Sequence, residues 1–219
     1  MHNCVQKYKD IISAIDKKLE EQKINYTPKV IAVSKTFKLE NILPLIEYGH
    51  LDYGENKVQE AIDKWSAIKL KKQNIKLHLI GKLQTNKVKH ALKIFDYIHS
   101  VDSMKLAKKI ADEQKKQNKS LKLFIQVNIG DEGQKSGIKV DQIKDLIIFS
   151  KKLNLNIIGL MCIPPVNEDP DKYFNEIKIL SKKFNLREIS MGMSSDFMKA
   201  VENSSTYLRI GSSIFGERS

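Results

Sequence analysis

A (β/α)8 (TIM) barrel with one extra helix ahead of its first strand is the architecture expected of this 219-residue chain. Three observations lead there. Short runs rich in β-branched and apolar residues recur along the chain, each too short for an ordinary helix. The segments between many of them carry apolar residues at helical spacing. The strand-then-helix order repeats about eight times, which is the pattern of a parallel α/β fold. The length is short for a barrel, so a doubly wound open sheet is the alternative.

Val5, Tyr8, Ile11, Ile12, Ile15 and Leu19 form one face of an opening helix. The first strand is expected at Val30-Ile31-Ala32-Val33 and the second around Leu51-Asp52-Tyr53. Val58, Ala61, Ile62, Trp65 and Ile68 then lie on one helical face. Further strands are expected at Leu77–Ile80, Tyr97–His99 and Leu123–Val127, with the polar run Asp112–Ser120 read as a helix end and loop. A helix carries Ile143, Leu146, Ile147 and Ser150 inward, and a strand comes next at Ile157–Met161. Tyr173, Ile177, Leu180 and Phe184 mark the next helix. The last strands are expected at Glu188–Met191 and Tyr207–Ile210. No Gly/Ser-rich linker interrupts this, so residues 1–219 are expected to form one domain.

Composition narrows the class. Hydrophobic residues make up 41% and charged residues 29%, which excludes collagen-like, low-complexity and wholly disordered chains. A domain of this size buries roughly 70% of its unfolded surface and needs no staples. Two cysteines, Cys4 and Cys162, with no secretory signal in Met1–Asp10, point to reduced thiols in the cytoplasm. No run approaches the roughly 18 apolar residues of a membrane span. The net charge of +12 is spread over pairs such as Lys17-Lys18, Lys108-Lys109 and Lys182-Lys183. Solvated helix faces explain it better than a nucleic-acid surface, yet such a field attracts anionic small molecules. Neither the five histidines nor the cysteines show metal-ligand spacing, so no metal is expected.

In parallel α/β folds functional groups collect where strands end. Lys35 ends the first apolar run, so its amine is placed at the barrel mouth, where it can add to an aldehyde; a merely solvated lysine is the alternative. Gly54 suits a tight turn, and Asn56 suits either an N-cap or a ligand contact. The segment Asn128–Gly137 reads as a mobile loop over the site. The last two strands run into Ser190-Met191-Gly192-Met193-Ser194-Ser195-Asp196 and Arg209-Ile210-Gly211-Ser212-Ser213-Ile214-Phe215-Gly216. Both read as strand, small or hydroxyl residues, then a helix start, the form of a phosphate site, although ordinary caps look the same.

Those two segments, together with Ile31–Thr36, Tyr53–Glu60, His78–Gly81 and Leu83–Lys87, resemble the YggS-like family, called PROSC in animals. These are pyridoxal 5′-phosphate (PLP) homeostasis proteins, similar in fold to the N-terminal barrel of alanine racemase. The resemblance covers essentially the whole chain in order. It implies that Lys35 carries PLP as a Schiff base and that Arg209 faces the pyridine nitrogen. It further implies that Gly211, Ser212 and Ser194 hold the phosphate, with Met193 in the same turn, that Asn56 lies near the ring and that Ile80 lines the pocket. Lys82, Lys57 and Ser212 stand where many members have Pro, Arg and Thr; none of these changes removes a group the cofactor needs. An arginine at the pyridine nitrogen disfavours its protonation and weakens the electron sink. Racemases of this fold add a tyrosine base from a further domain, and none is expected in a chain ending at Ser219. The implied role is thus non-enzymatic: a monomer that holds PLP in the cytoplasm and hands it to apo PLP-enzymes, with no specific nucleic-acid or membrane partner. A PLP-dependent amino-acid racemase is the runner-up.

Overall fold

In the computed structural model, which describes residues 2–217, eight parallel strands close into a barrel in chain order. They are β1 (Lys29–Val33), β2 (Asp52–Glu55), β3 (Lys76–Leu79), β4 (Tyr97–Val101), β5 (Lys122–Val127), β6 (Ile157–Cys162), β7 (Glu188–Ser190) and β8 (Tyr207–Ile210). β8 returns to β1 with Lys29 opposite Tyr207 and Ala32 opposite Ile210, and this closure excludes the open sheet. The helices are α1 (Asn3–Glu21), α2 (Leu39–Glu47), α3 (Val58–Lys71), α4 (Val88–Ile94), α5 (Met104–Gln117), α6 (Ile143–Lys152), α7 (Pro170–Lys183), α8 (Phe197–Glu202) and α9 (Ser212–Phe215).

Local chemistry explains their ends. The Ser103 hydroxyl accepts from the Leu106 N–H at the start of α5, and Asn118 ends it in a left-handed conformation. Asp169 caps α7 and Pro170 fills its first turn, where a missing N–H costs nothing. α1 buries Val5, Ile11, Ile15 and Leu19 and packs against α2, α8 and α9. α2 has no counterpart in the sequence reading because Pro44 lies inside it. Burial of Ile42, Leu45 and Ile46 holds that helix despite the lost hydrogen bond. Among the described residues no helix is long and apolar enough to cross a membrane.

Strand alternation sorts the side chains into two sets. Val30, Ala32, Leu77, Leu79, Leu208 and Ile210 join one core between sheet and helices. Ile31, Tyr97, Phe124, Met161 and Tyr207 form a separate cluster in the lumen. Period two therefore carries β1 from Ile31 through Val33 to Lys35 on the lumen side, and β8 from Tyr207 through Arg209 to Gly211.

The Asn128–Gly137 segment departs from the expected cover. The Asn128 N–H donates to the Ile138 carbonyl at 2.9 Å, and the Ile138 N–H donates to the Gln126 carbonyl at 2.9 Å. The Asn128 amide closes a further bond to the Glu132 carbonyl at 2.9 Å. These bonds stitch the segment to β5, and none of its residues lines the cavity at the mouth.

Candidate functional site

A cavity of about 330 Å³ opens at the carboxyl ends of the strands, within the range of small-molecule sites. Lys35, Asn56, Ile80, Met193, Ser194, Arg209, Gly211 and Ser212 all line it. Val33, Phe37 and Ile163 add apolar wall that sequence reasoning did not assign.

The backbone carrying Lys35 is fixed on both sides. Before it, the Ser34 hydroxyl donates to Glu55 Oε1 at 2.7 Å. Lys64 Nζ donates to the Ser34 carbonyl at 2.9 Å and to Glu55 Oε1 at 3.0 Å. Trp65 Nε1 donates to the same oxygen at 3.0 Å, and Glu55 is wholly buried. After Lys35, Thr36 turns the chain at φ 67°, a conformation β-branched residues rarely adopt. Its N–H is held by Glu60 Oε1 at 2.7 Å. Burial raises the Glu60 carboxyl, but the Thr36 N–H and Lys64 outweigh it and leave it below its ordinary value. Glu55, Glu60 and Lys64 were missed as supports; a carboxylate closing an otherwise buried strand was the available signal.

Asn56 is not the cap of α3. That position belongs to Lys57, which makes no side-chain capping bond, and Asn56 lines the cavity instead. A Cβ on Gly81 would lie 2.4 Å from the Asn56 carbonyl oxygen, so glycine lets the turn after β3 cross over Asn56. Gly54 sits within β2, not in a turn.

Arg209 is 4% exposed. Its Nη1 donates to Ser190 Oγ at 2.7 Å and its Nη2 to the Cys162 carbonyl at 2.8 Å. Burial lowers its pKa from the ordinary value. The Cys162 thiol beside it is pushed up to about 12 by burial, which fits a small core residue and not a nucleophile.

The two turns expected to bind phosphate differ. After β7, Gly192 takes φ 89°, and a Cβ there would lie 2.5 Å from Ala200 Cβ. The Met193 N–H donates to Asp196 Oδ1 at 2.6 Å, so the turn satisfies that donor itself. After β8, the Gly211 and Ser213 N–H groups converge on Ser194 Oγ at 3.2 and 3.3 Å. Convergent N–H groups of this kind suit an oxygen anion. α9 is only four residues long, so little helix dipole stands behind these donors.

Comparison with known proteins bears on the family and the fold. The model of the alanine racemase N-terminal domain family matches residues 12–219. A pyridoxal phosphate homeostasis protein of Aquifex aeolicus is 39% identical over 200 residues, covering 87% of each chain. Another, from Vibrio alginolyticus, is 35% identical over 232 residues, covering 100% of this chain and 99% of its own. The chain belongs to the alanine racemase N-terminal domain family, among its pyridoxal phosphate homeostasis proteins. The structure of PipY from Synechococcus elongatus with PLP bound is 33% identical, with a TM-score of 0.79 over 92% of this chain and 100% of PipY. The resemblance read from the motifs thus holds for family and fold. Among the described residues, the mouth presents one amine, one guanidinium and a cradle of N–H and hydroxyl groups around a shared space.

Proposed function

We propose that this chain, acting as one barrel domain, binds PLP reversibly through Lys35 and serves cytoplasmic PLP homeostasis, not catalysis. One observation carries the reading. Lys35, Arg209 and the Ser194–Gly211 cradle line the same cavity, of a volume that suits a phosphorylated pyridine. These residues fit that cofactor. PLP supplies an aldehyde that condenses with one amine at a time and releases water.

The protein's own groups divide the remaining work. Gly211, Ser212 and Ser194 would hold the phosphate through backbone N–H and hydroxyl groups. Arg209 would face the pyridine nitrogen and, being charged, would disfavour its protonation. Ile80 and Asn56 would lie beside the ring, and Met193 lines the wall next to Ser194. The free thiols Cys4 and Cys162 support a reducing compartment. Among the described residues the ionisable groups lining the cavity are Lys35 and Arg209. Racemisation needs a proton acceptor on each face of the substrate, and Lys35 supplies one. This favours storage and hand-over, by a monomer, to apo PLP-enzymes whose own lysine displaces Lys35.

The test is spectroscopic. Purified protein titrated with PLP should develop a visible absorption band that Lys35→Ala lacks. It should also exchange the α-hydrogen of alanine in deuterium oxide no faster than free PLP. An identical band in Lys35→Ala contradicts the attachment, and exchange at enzymatic rates contradicts the non-catalytic role.

A further inference from the structure

Two buried histidines lie between the cavity and the opposite end of the lumen. Arg209 Nη1 donates to Ser190 Oγ at 2.7 Å. Ser190 Oγ lies 2.9 Å from His99 Nδ1, and His99 Nε2 lies 3.0 Å from His78 Nδ1. His78 Nε2 lies 3.0 Å from Asp52 Oδ1. Both imidazoles are fully buried, and His78 stacks on Tyr97 while His99 stacks on Phe124. Asp52 opens β2, with a side chain 19% exposed at the amino-terminal end of the barrel.

The proton positions are fixed by elimination from that end. An ionised carboxylate only accepts, so His78 Nε2 carries a proton toward Asp52. Burial, the largest influence on both rings, lowers the two histidines from their ordinary value and keeps them neutral. The neutral His78 therefore accepts at Nδ1, which makes His99 Nε2 the donor. His99 then accepts at Nδ1, and the Ser190 O–H supplies that proton. The remaining Ser190 lone pair receives the Arg209 N–H. Every link has one polarity, and all run from Arg209 toward Asp52.

A buried guanidinium needs compensation. Among the described residues no carboxylate lies within ion-pair distance of Arg209; its bonded partners are a hydroxyl and a carbonyl. We infer that Ser190, His99, His78 and Asp52 form a one-directional positioning wire that holds Arg209 at the cavity and links its charge to Asp52 at the far end of the barrel. The inference rests on the reading of the cavity as a PLP site only for its effect on binding. The wire itself is a property of the cofactor-free protein.

Two measurements test it. The first is 15N NMR of the imidazoles in the cofactor-free protein at pH 7. Both histidines should show a protonated Nε2 and a bare Nδ1; a protonated Nδ1, or an imidazolium, on either ring overturns the wire. The second compares His99→Phe and His99→Asn with wild type. Phe keeps the stack on Phe124 and removes both nitrogens, so the Kd for PLP should rise about tenfold, the worth of one hydrogen bond to a charged group. Asn restores an acceptor near Ser190 and should recover part of that loss. Competition by inorganic phosphate should stay at the wild-type level in both variants, because the cradle after β8 is untouched. Wild-type PLP affinity in His99→Phe contradicts the positioning role. A wild type that does not bind PLP defeats the cofactor reading instead, and the tautomer measurement still decides the wire.

Discussion

The two ends of the barrel lumen are built from the same alternating strand positions and behave in opposite ways. Toward the amino-terminal ends, Tyr97, Phe124 and Tyr207 pack together with the stacked histidines. Toward the carboxyl ends, the equivalent positions carry Asn56, Ile80 and Gly211, and the space stays open. The difference is one of side-chain volume on an identical frame. Filled positions stabilise the fold, and small or polar ones leave a site whose walls must be held from behind. The buried Glu55, with Ser34, Lys64 and Trp65 on one oxygen, does that holding at the Lys35 edge.

That contrast can be broken at either end. Phe124→Ala should cost about 3–5 kcal/mol in urea unfolding, because it empties the filled end. A cost below about 1 kcal/mol would mean the lumen cluster is not tightly packed. Glu55→Ala should cost about 2 kcal/mol, since it leaves the Trp65 N–H without its acceptor and takes one of two carboxylates from the 10%-exposed Lys64 ammonium, which keeps Glu60. Glu55→Gln, which keeps an acceptor, should cost clearly less; equal losses would show that packing and not the hydrogen bonds holds this edge.

Acid should act on the filled end. His78 and His99 are held neutral in the folded protein, below their unfolded pKa. Below about pH 6.5 the unfolded chain takes up protons that the folded one refuses, so stability falls with pH. Each histidine contributes a slope of about 1.4 kcal/mol per pH unit in that window, and stability is level above it. A series of urea midpoints from pH 7.5 to 5 measures this, and an unchanged midpoint would contradict neutral burial. The smallest effect belongs to the open end. Ser194→Ala should leave the free energy of urea unfolding within about 1 kcal/mol of wild type while weakening PLP about fivefold. Unphosphorylated pyridoxal should bind both proteins alike; an equal loss for pyridoxal would separate Ser194 from the phosphate.

Much of this is legible in the residues alone. All eight strands announce themselves, because lumen and helix-facing positions are both apolar in a parallel barrel. β2 looks shorter in the sequence than it is, since Gly54 and Glu55 join it through tertiary partners, Ile31 behind one and Trp65 behind the other. The cavity residues are reachable from the segments just past each strand end, where a parallel barrel gathers its loops. The hidden part depends on closure: His78 and His99 look like two isolated histidines until β3 and β4 lie side by side.

The central claim is that one amine, Lys35, captures PLP at the open end. Borohydride reduction of the PLP-loaded protein, with proteolysis and mass mapping, tests it most directly. The account predicts a single stoichiometric adduct on the peptide containing Lys35 and none there in Lys35→Ala. An adduct confined to another lysine, or no adduct at saturating PLP, would contradict it.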